Sequence, residues 1–273
     1  MKASTTKVVL SAVALASAAF AQTSYADEGV AYNIGAISEY RYRGLGQTRG
    51  KPALQGGIDY DSGKGFYLGT WASTIKWIKD YGDAAATNND VKGPVELDIY
   101  GGYKFEAGSA AYDFGMLRYQ YVGNTLEKTG TGTTWKNANT TELYGAVTVG
   151  VVTAKYSYAI TDLFGQYNFT AKKGTKGSGY LDLSATFDMG NGWSFVPHMG
   201  HQKVSGLEPD VLASYTDTSL TLNKDLGGGL SASVSAIRTN ADRNYWTYAP
   251  ANDPSKTYYQ GKGQVVAGLK YTF

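Results

Sequence analysis

The chain contains no cysteine, so a disulfide framework and a thiolate metal site are both excluded. It is short of net charge. The formal +2 falls to zero once residues 1–26, which carry Lys2 and Lys7 and no acid, are set aside. A neutral chain of roughly 247 residues has no electrostatic bias toward nucleic acid. It lacks long apolar runs, and nothing after residue 26 approaches the ~20 apolar residues a spanning helix needs. It has two histidines, His198 and His201, three apart; on a strand they face opposite sides and cannot jointly hold a metal. No cofactor is expected.

What remains is glycine and tyrosine. There are 35 glycines, and 23 tyrosines against 9 phenylalanines. The chain stops at Gln264-Val265-Val266-Ala267-Gly268-Leu269-Lys270-Tyr271-Thr272-Phe273, where every odd position from Val265 is apolar. Alternate side chains of a strand point to opposite faces. An alternating strand ending in an aromatic resembles the closing strand of bacterial outer-membrane barrels, which implies that Tyr271 and Phe273 are read by the assembly machinery. At the other end, Lys2 and Lys7, an apolar stretch from Val8 to Ala21 and the small-x-small site Ser24-Tyr25-Ala26 read as a secretory signal peptide over residues 1–26. Residues 27–273 then form the barrel.

Period-two alternation predicts twelve strands, near 31–43, 53–61, 66–75, 95–105, 111–121, 141–149, 152–160, 179–187, 193–202, 214–223, 230–238 and 263–273. Short Gly/Asn/Asp/Ser turns alternate with long connections. The expected fold is therefore an all-β, transmembrane, antiparallel up-and-down β-barrel with short periplasmic turns and long extracellular loops. An even strand count puts both ends of the barrel on the periplasmic side.

Charges on a lipid face cost a few kcal/mol at mid-membrane, so they assign the lumen. The expected pore-lining set is Glu39, Arg41, Arg43, Asp59, Glu96, Asp98, Lys104, Arg118, Glu142, Lys155, Asp182, Asp217 and Lys270, with Asp61 and Asp113 alongside. Strand five changes phase between Phe114 and Leu117, which predicts a β-bulge near Gly115-Met116. With that bulge, Asp98 meets Arg118 as a lumen ion pair. Outward aromatics form two expected belts: Phe66, Tyr103, Phe105, Tyr112, Phe187, Trp193, Tyr271 and Phe273 near the turns, and Tyr40, Tyr42, Tyr119, Tyr121, Tyr156 and Tyr158 near the long loops.

The run Ser38-Glu39-Tyr40-Arg41-Tyr42-Arg43-Gly44-Leu45-Gly46-Gln47-Thr48, then Lys51-Pro52-Ala53-Leu54-Gln55-Gly56-Gly57-Ile58-Asp59-Tyr60, resembles the opening hairpin of the TorF-type porin family. Gly65–Ser73 and Glu96–Tyr103 extend the resemblance, which is specific over about residues 36–105. It implies a bacterial outer-membrane barrel and names no solute.

The functional expectation is a narrow channel for passive diffusion of small polar solutes or ions, a monomer and not an enzyme, located in the bacterial outer membrane. Its expected partners are outer-membrane lipid, lipopolysaccharide, the secretion and barrel-assembly machinery, and the solute. One alternative is a closed structural or adhesive barrel. The other is a hydrolase in which His201 on the outer rim meets Ser214, with Glu208 or Asp210 orienting it. Asp80, Asp83, Asn88, Asn89 and Asp90 are oxygen ligands without EF-hand spacing. Lys172, Lys173 and Lys176 offer a basic loop to lipopolysaccharide phosphates. The aromatic last loop (Tyr245, Trp246, Tyr248, Tyr258, Tyr259) either stacks a sugar or folds inward as a constriction.

Overall fold

The computed structural model describes residues 28–84, 91–129, 135–249 and 254–273. The proposed signal peptide and the loop residues Asn88, Asn89 and Asp90 lie outside them, as does the side chain of Asp83.

Twelve antiparallel strands close on themselves. They are β1 (Gly29–Ile37), β2 (Ala53–Asp61), β3 (Phe66–Thr74), β4 (Val95–Ala107), β5 (Ala110–Val122), β6 (Thr140–Val149), β7 (Val152–Ala159), β8 (Gly179–Ala185, continued by Phe187–Gly190), β9 (Trp193–Lys203), β10 (Tyr215–Gly227), β11 (Leu230–Thr239) and β12 (Gln264–Thr272). Each pairs with its sequence neighbours, and β1 pairs with β12 from Asn33↔Thr272 to Ile37↔Gly268, which removes the sheet edges. One helix, α1 (Trp77–Ala84), stands in the connection after β3.

The outer face is apolar along its height. Ile34, Leu54, Leu68, Ile99, Phe114, Met116, Leu220, Val234 and Val265 all stand exposed, Val265 at 64 %. At the short-turn end this face carries exposed Phe66, Tyr103, Phe105, Phe187, Trp193, Tyr271 and Phe273, with Phe105 stacked on Tyr112 at 5.3 Å between ring centroids. Tyr156 and Tyr158 are exposed near the long loops.

Three expectations are corrected. First, β1 ends at Ile37, not near residue 43. The chain leaves the wall at Ser38 and runs inward, so Tyr40 (0 % exposed) and Tyr42 (7 %) lie inside the barrel and not in an outer belt. Second, β5 has no bulge. Its register is unbroken from Val122 to Ala110 against β4 and from Tyr119 to Ala110 against β6, because the two-residue turn between Ala107 and Ala110 fixes the pairing. Third, Tyr119 and Tyr121 therefore face inward and are buried, while Arg118 lies on the outer face. Arg118 pairs across the strand with Ile99, not Asp98, and donates to Thr141 Oγ1 at 3.0 Å.

Candidate functional site within the lumen

The long-loop half of the barrel is filled from residues 38–52. Arg41–Tyr42 pairs with Leu45–Gly46 as a miniature hairpin inside the barrel. Its turn is Arg43-Gly44, with φ of 45° and 80°. Two left-handed residues in a two-residue turn match the twist of the flanking strands. Gly44 suits that conformation, and Arg43 is strained in it. Gly46 is required for space: a Cβ there would lie 2.3 Å from Tyr258 Oη and 2.6 Å from Glu39 Oε1.

Hydrogen bonds hold this hairpin to the last long loop. Arg41 Nη2 donates to the carbonyls of Gly44 (2.8 Å), Gln260 (2.7 Å) and Lys262 (2.7 Å), and Nη1 donates to Glu39 at 3.0 Å. Glu39 accepts from the Gly50 amide at 3.0 Å and from the Tyr258 hydroxyl. Arg41 is thus a structural tie inside the inserted segment and not a side chain on the wall.

Aromatic rings fill the remaining volume. Tyr40 packs edge-on to Trp71, and Tyr42 to Tyr119 and Phe164. Helix α1 caps the cluster with buried Trp77 and Ile78, and Tyr81 reaches Trp135 and Tyr248. Burial raises the pKa of the Tyr81 and Tyr248 hydroxyls well above the ordinary tyrosine value. The last loop folds inward, with Trp246 and Tyr248 buried. A cavity of about 40 Å³ remains, walled by Trp77, Tyr81, Trp135 and Trp246 and by Gln166 and Gln260.

The inserted segment meets the wall through carboxylates. Arg43 forks onto Glu142, Nη1 to Oε1 at 3.0 Å and Nη2 to Oε2 at 2.7 Å, and Nη1 also donates to Gln202 Oε1 at 2.7 Å. Its Cζ lies 4.8 Å from the Tyr42 ring centroid and 4.3 Å from that of Tyr180. Tyr40 donates to Glu96 at 2.6 Å. Asp98, 1 % exposed on the wall between Trp71 and Tyr119, has no hydrogen-bond partner for either carboxylate oxygen among the described residues.

The short-turn half is different. Its inner wall is polar and partly open: Lys104 bonds Asp61 at 2.5 Å with both side chains almost a fifth exposed. Tyr100 donates to Asp59, Tyr67 donates to Asp113 at 2.6 Å, and Lys155 sits 4.0 Å from the Tyr144 ring centroid. Higher up, beside the tip of the inserted hairpin, His198 bridges Asp182 (3.0 Å) and Asp217 (3.6 Å). Lys270 faces inward on β12. Of the charged residues expected to face inward, Asp59, Asp61, Glu96, Asp98, Lys104, Asp113, Glu142, Lys155, Asp182, Asp217 and Lys270 do so from the wall. Glu39, Arg41 and Arg43 lie inside on the inserted segment, and Arg118 does not face inward. Alternation alone did not reveal Tyr180 and Gln202, which complete the Arg43 contacts.

The rim hydrolase constellation is not assembled. His201 Nδ1 lies 3.0 Å from Thr216 Oγ1, and Ser214 Oγ accepts from the Val204 amide at 2.9 Å. Asp80 is paired with Arg49.

A family model described as a bacterial protein of unknown function (Gcw_chp) matches residues 21–273. The chain belongs to this family. No curated protein matches. Among solved structures, the chain is similar to a KdgM porin (8 % identity, 89 % of this chain and 98 % of that one, TM-score 0.48). It is also similar to a NanC porin (9 %, 90 % and 99 %, 0.48) and to the COG4313 outer membrane channel from Pseudomonas putida F1 (13 %, 90 % and 96 %, 0.47). None of these matches bears the TorF-type name. Likeness at this level leaves the function of the Gcw_chp chain to be argued from its own barrel.

Proposed function

We propose that this Gcw_chp protein is a bacterial outer-membrane channel for small polar solutes or ions, with residues 38–52 as its gate. In this reading residues 1–26 are the cleaved signal, the barrel is a monomer, and outer-membrane lipid and lipopolysaccharide surround it. The observation that carries the reading is the reversal of polarity across a single strand. On β4, Ile99 and Tyr103 are exposed outward while Asp98 and Lys104 face inward. A wall apolar outside and charged inside is the arrangement a closed barrel takes in lipid around an aqueous path. Charged side chains along such a path set ion preference.

The test uses the register partners Ile37 and Ala53, which already stand opposite each other at the mouth of the inserted segment. Replacing residues 39–51 by a short Asn-Gly turn leaves a hairpin between β1 and β2. The shortened protein is expected to keep heat-modifiable migration and to conduct in planar bilayers at least ~10-fold more than the parent, because the parent must break the contacts of the inserted segment to open, and a closed-state preference of about 1.4 kcal/mol already lowers the open population about tenfold. A folded but non-conducting deletion overturns the channel. It would favour the second reading, a closed structural barrel, for which the observation is the buried aromatic filling around Tyr40, Tyr119 and Tyr248.

A further inference from the structure

We propose that the wall groups around Arg43 are the solute-recognition site of the channel, and that the solutes it takes carry a guanidinium. This rests on the channel reading above and names the solute class. Four strands supply the site: Tyr119 from β5, Glu142 from β6, Tyr180 from β8 and Gln202 from β9. Together they bind one planar cation by a carboxylate fork, an amide oxygen and a tyrosine ring. The Tyr119 hydroxyl supports the fork from behind, donating to Glu142 Oε2 at 3.2 Å. Parallel N–H donors and a flat delocalised face match this set, whereas an ammonium offers neither.

In the closed barrel the occupant is the protein's own Arg43. It sits at the tip of a hairpin, at a φ of 45° that disfavours a non-glycine residue. Arg43 therefore acts as a tethered competitor. When the hairpin leaves, Glu142 and Gln202 lose their cation, and the wall keeps Glu96, Asp98 and Glu142 facing inward. Asp98 has no hydrogen-bond partner among the described residues even in the closed state. Two wall groups that can carry positive charge are engaged elsewhere: Lys155 lies over Tyr144, and His198 bridges Asp182 and Asp217. A free guanidinium solute replaces the lost pairing only in the displaced state, so it shifts the population toward opening.

The test needs no unknown ligand. With the full chain folded in detergent, L-arginine is titrated by calorimetry into the parent and into Arg43→Ala. The variant is expected to bind at least ~10-fold more tightly, since a tethered competitor acts at millimolar effective concentration or above. Glu142→Gln on that background should abolish binding, and L-lysine should bind worse than L-arginine. Should Arg43→Ala fail to fold, Gly44→Ala gives the same reading with every wall group kept. Its Cβ would lie 2.6 Å from Asp217 Cβ at a φ of 80°, which loosens the hairpin. In planar bilayers, L-arginine at constant ionic strength should raise the open probability of the parent, and L-glutamate should not. Equal affinity of parent and Arg43→Ala, lysine binding as well as arginine, or binding that survives Glu142→Gln each overturns the proposal. Binding without any conductance keeps the recognition site and removes the channel. Conductance indifferent to arginine, with no binding, keeps the channel and removes the site.

Discussion

The two halves of the lumen are built on the same twelve strands and have opposite interiors. Toward the long loops, inward positions are Leu117, Tyr119 and Tyr121, sealed by Tyr40, Tyr42 and Phe164. Toward the short turns, the same strand offers Asp113, beside Lys104 of β4 and bonded to Tyr67 of β3. The difference comes from what enters the barrel. Residues 38–52, α1 and the last loop all enter from the long-loop end. A wall residue there meets protein, and one lower down meets a polar, partly open space. Which face of a strand is apolar thus depends on height as well as on parity.

The largest expected effect is on packing. Leu117 is fully buried in the aromatic cluster. Leu117→Ala removes buried methyl groups and leaves a cavity, a loss of about 2–5 kcal/mol. Ser219→Ala, on the polar side of β10, should change stability by under about 1 kcal/mol, as its hydroxyl has no hydrogen-bond partner to lose. Urea unfolding of the two refolded variants checks this. Equal losses would break the contrast between a packed half and a lined half.

Access gives a second, independent measure. With no native cysteine, single-cysteine variants have no background. Asn33→Cys, inward and half-buried in the short-turn half, should react quickly with a charged thiosulfonate in the folded protein. Leu117→Cys should react at least ~100-fold more slowly, since labelling there waits on local opening. Comparable rates would mean that the aromatic cluster opens freely. Repeating the pair in the 39–51 deletion sharpens the point, because Leu117→Cys should then gain most of the difference back.

The same contrast explains what was readable in the sequence. Existence and order of all twelve strands followed from period-two alternation and from turn glycines, since both are local. Inward placement of Asp59, Glu96, Glu142 and Asp217 followed from the cost of a charge in lipid. The failures have two causes. On β5 the apolar parity changes between Phe114 and Leu117, which reads as a bulge if apolar means lipid-facing. In the structure the strand keeps register, and it is the interior that changes from polar to apolar. Arg118 was drawn inward by the same reasoning and lies outside. Tyr40 and Tyr42 read as outward-facing because alternation continues past Ile37 although the strand does not. The Arg43-Gly44 pair was a local turn signal that could have ended β1 earlier. Contacts such as Arg43 to Glu142 and Gln202, across 99 and 159 residues, carry no local signature.

The smallest expected effect probes where the two halves meet. Asp98 has apolar and aromatic neighbours on both paired strands and no partner for either oxygen. Glu96, two residues away on the same face, has the Tyr40 hydroxyl. Burying a charge without a partner opposes folding by more than burying a neutral amide of the same shape. At pH 8, Asp98→Asn should therefore raise stability by about 1–3 kcal/mol, the range for a buried group left unsatisfied. Glu96→Gln, which weakens an existing charge-assisted bond, should lower it. Urea midpoints of both variants, read against Leu117→Ala, decide the matter. A loss on Asp98→Asn would mean that the carboxylate has found a cation, and that the boundary between the packed and polar halves lies above β4 position 98, inside reach of solvent. A gain places the boundary below it, with Asp98 held in readiness on the closed side.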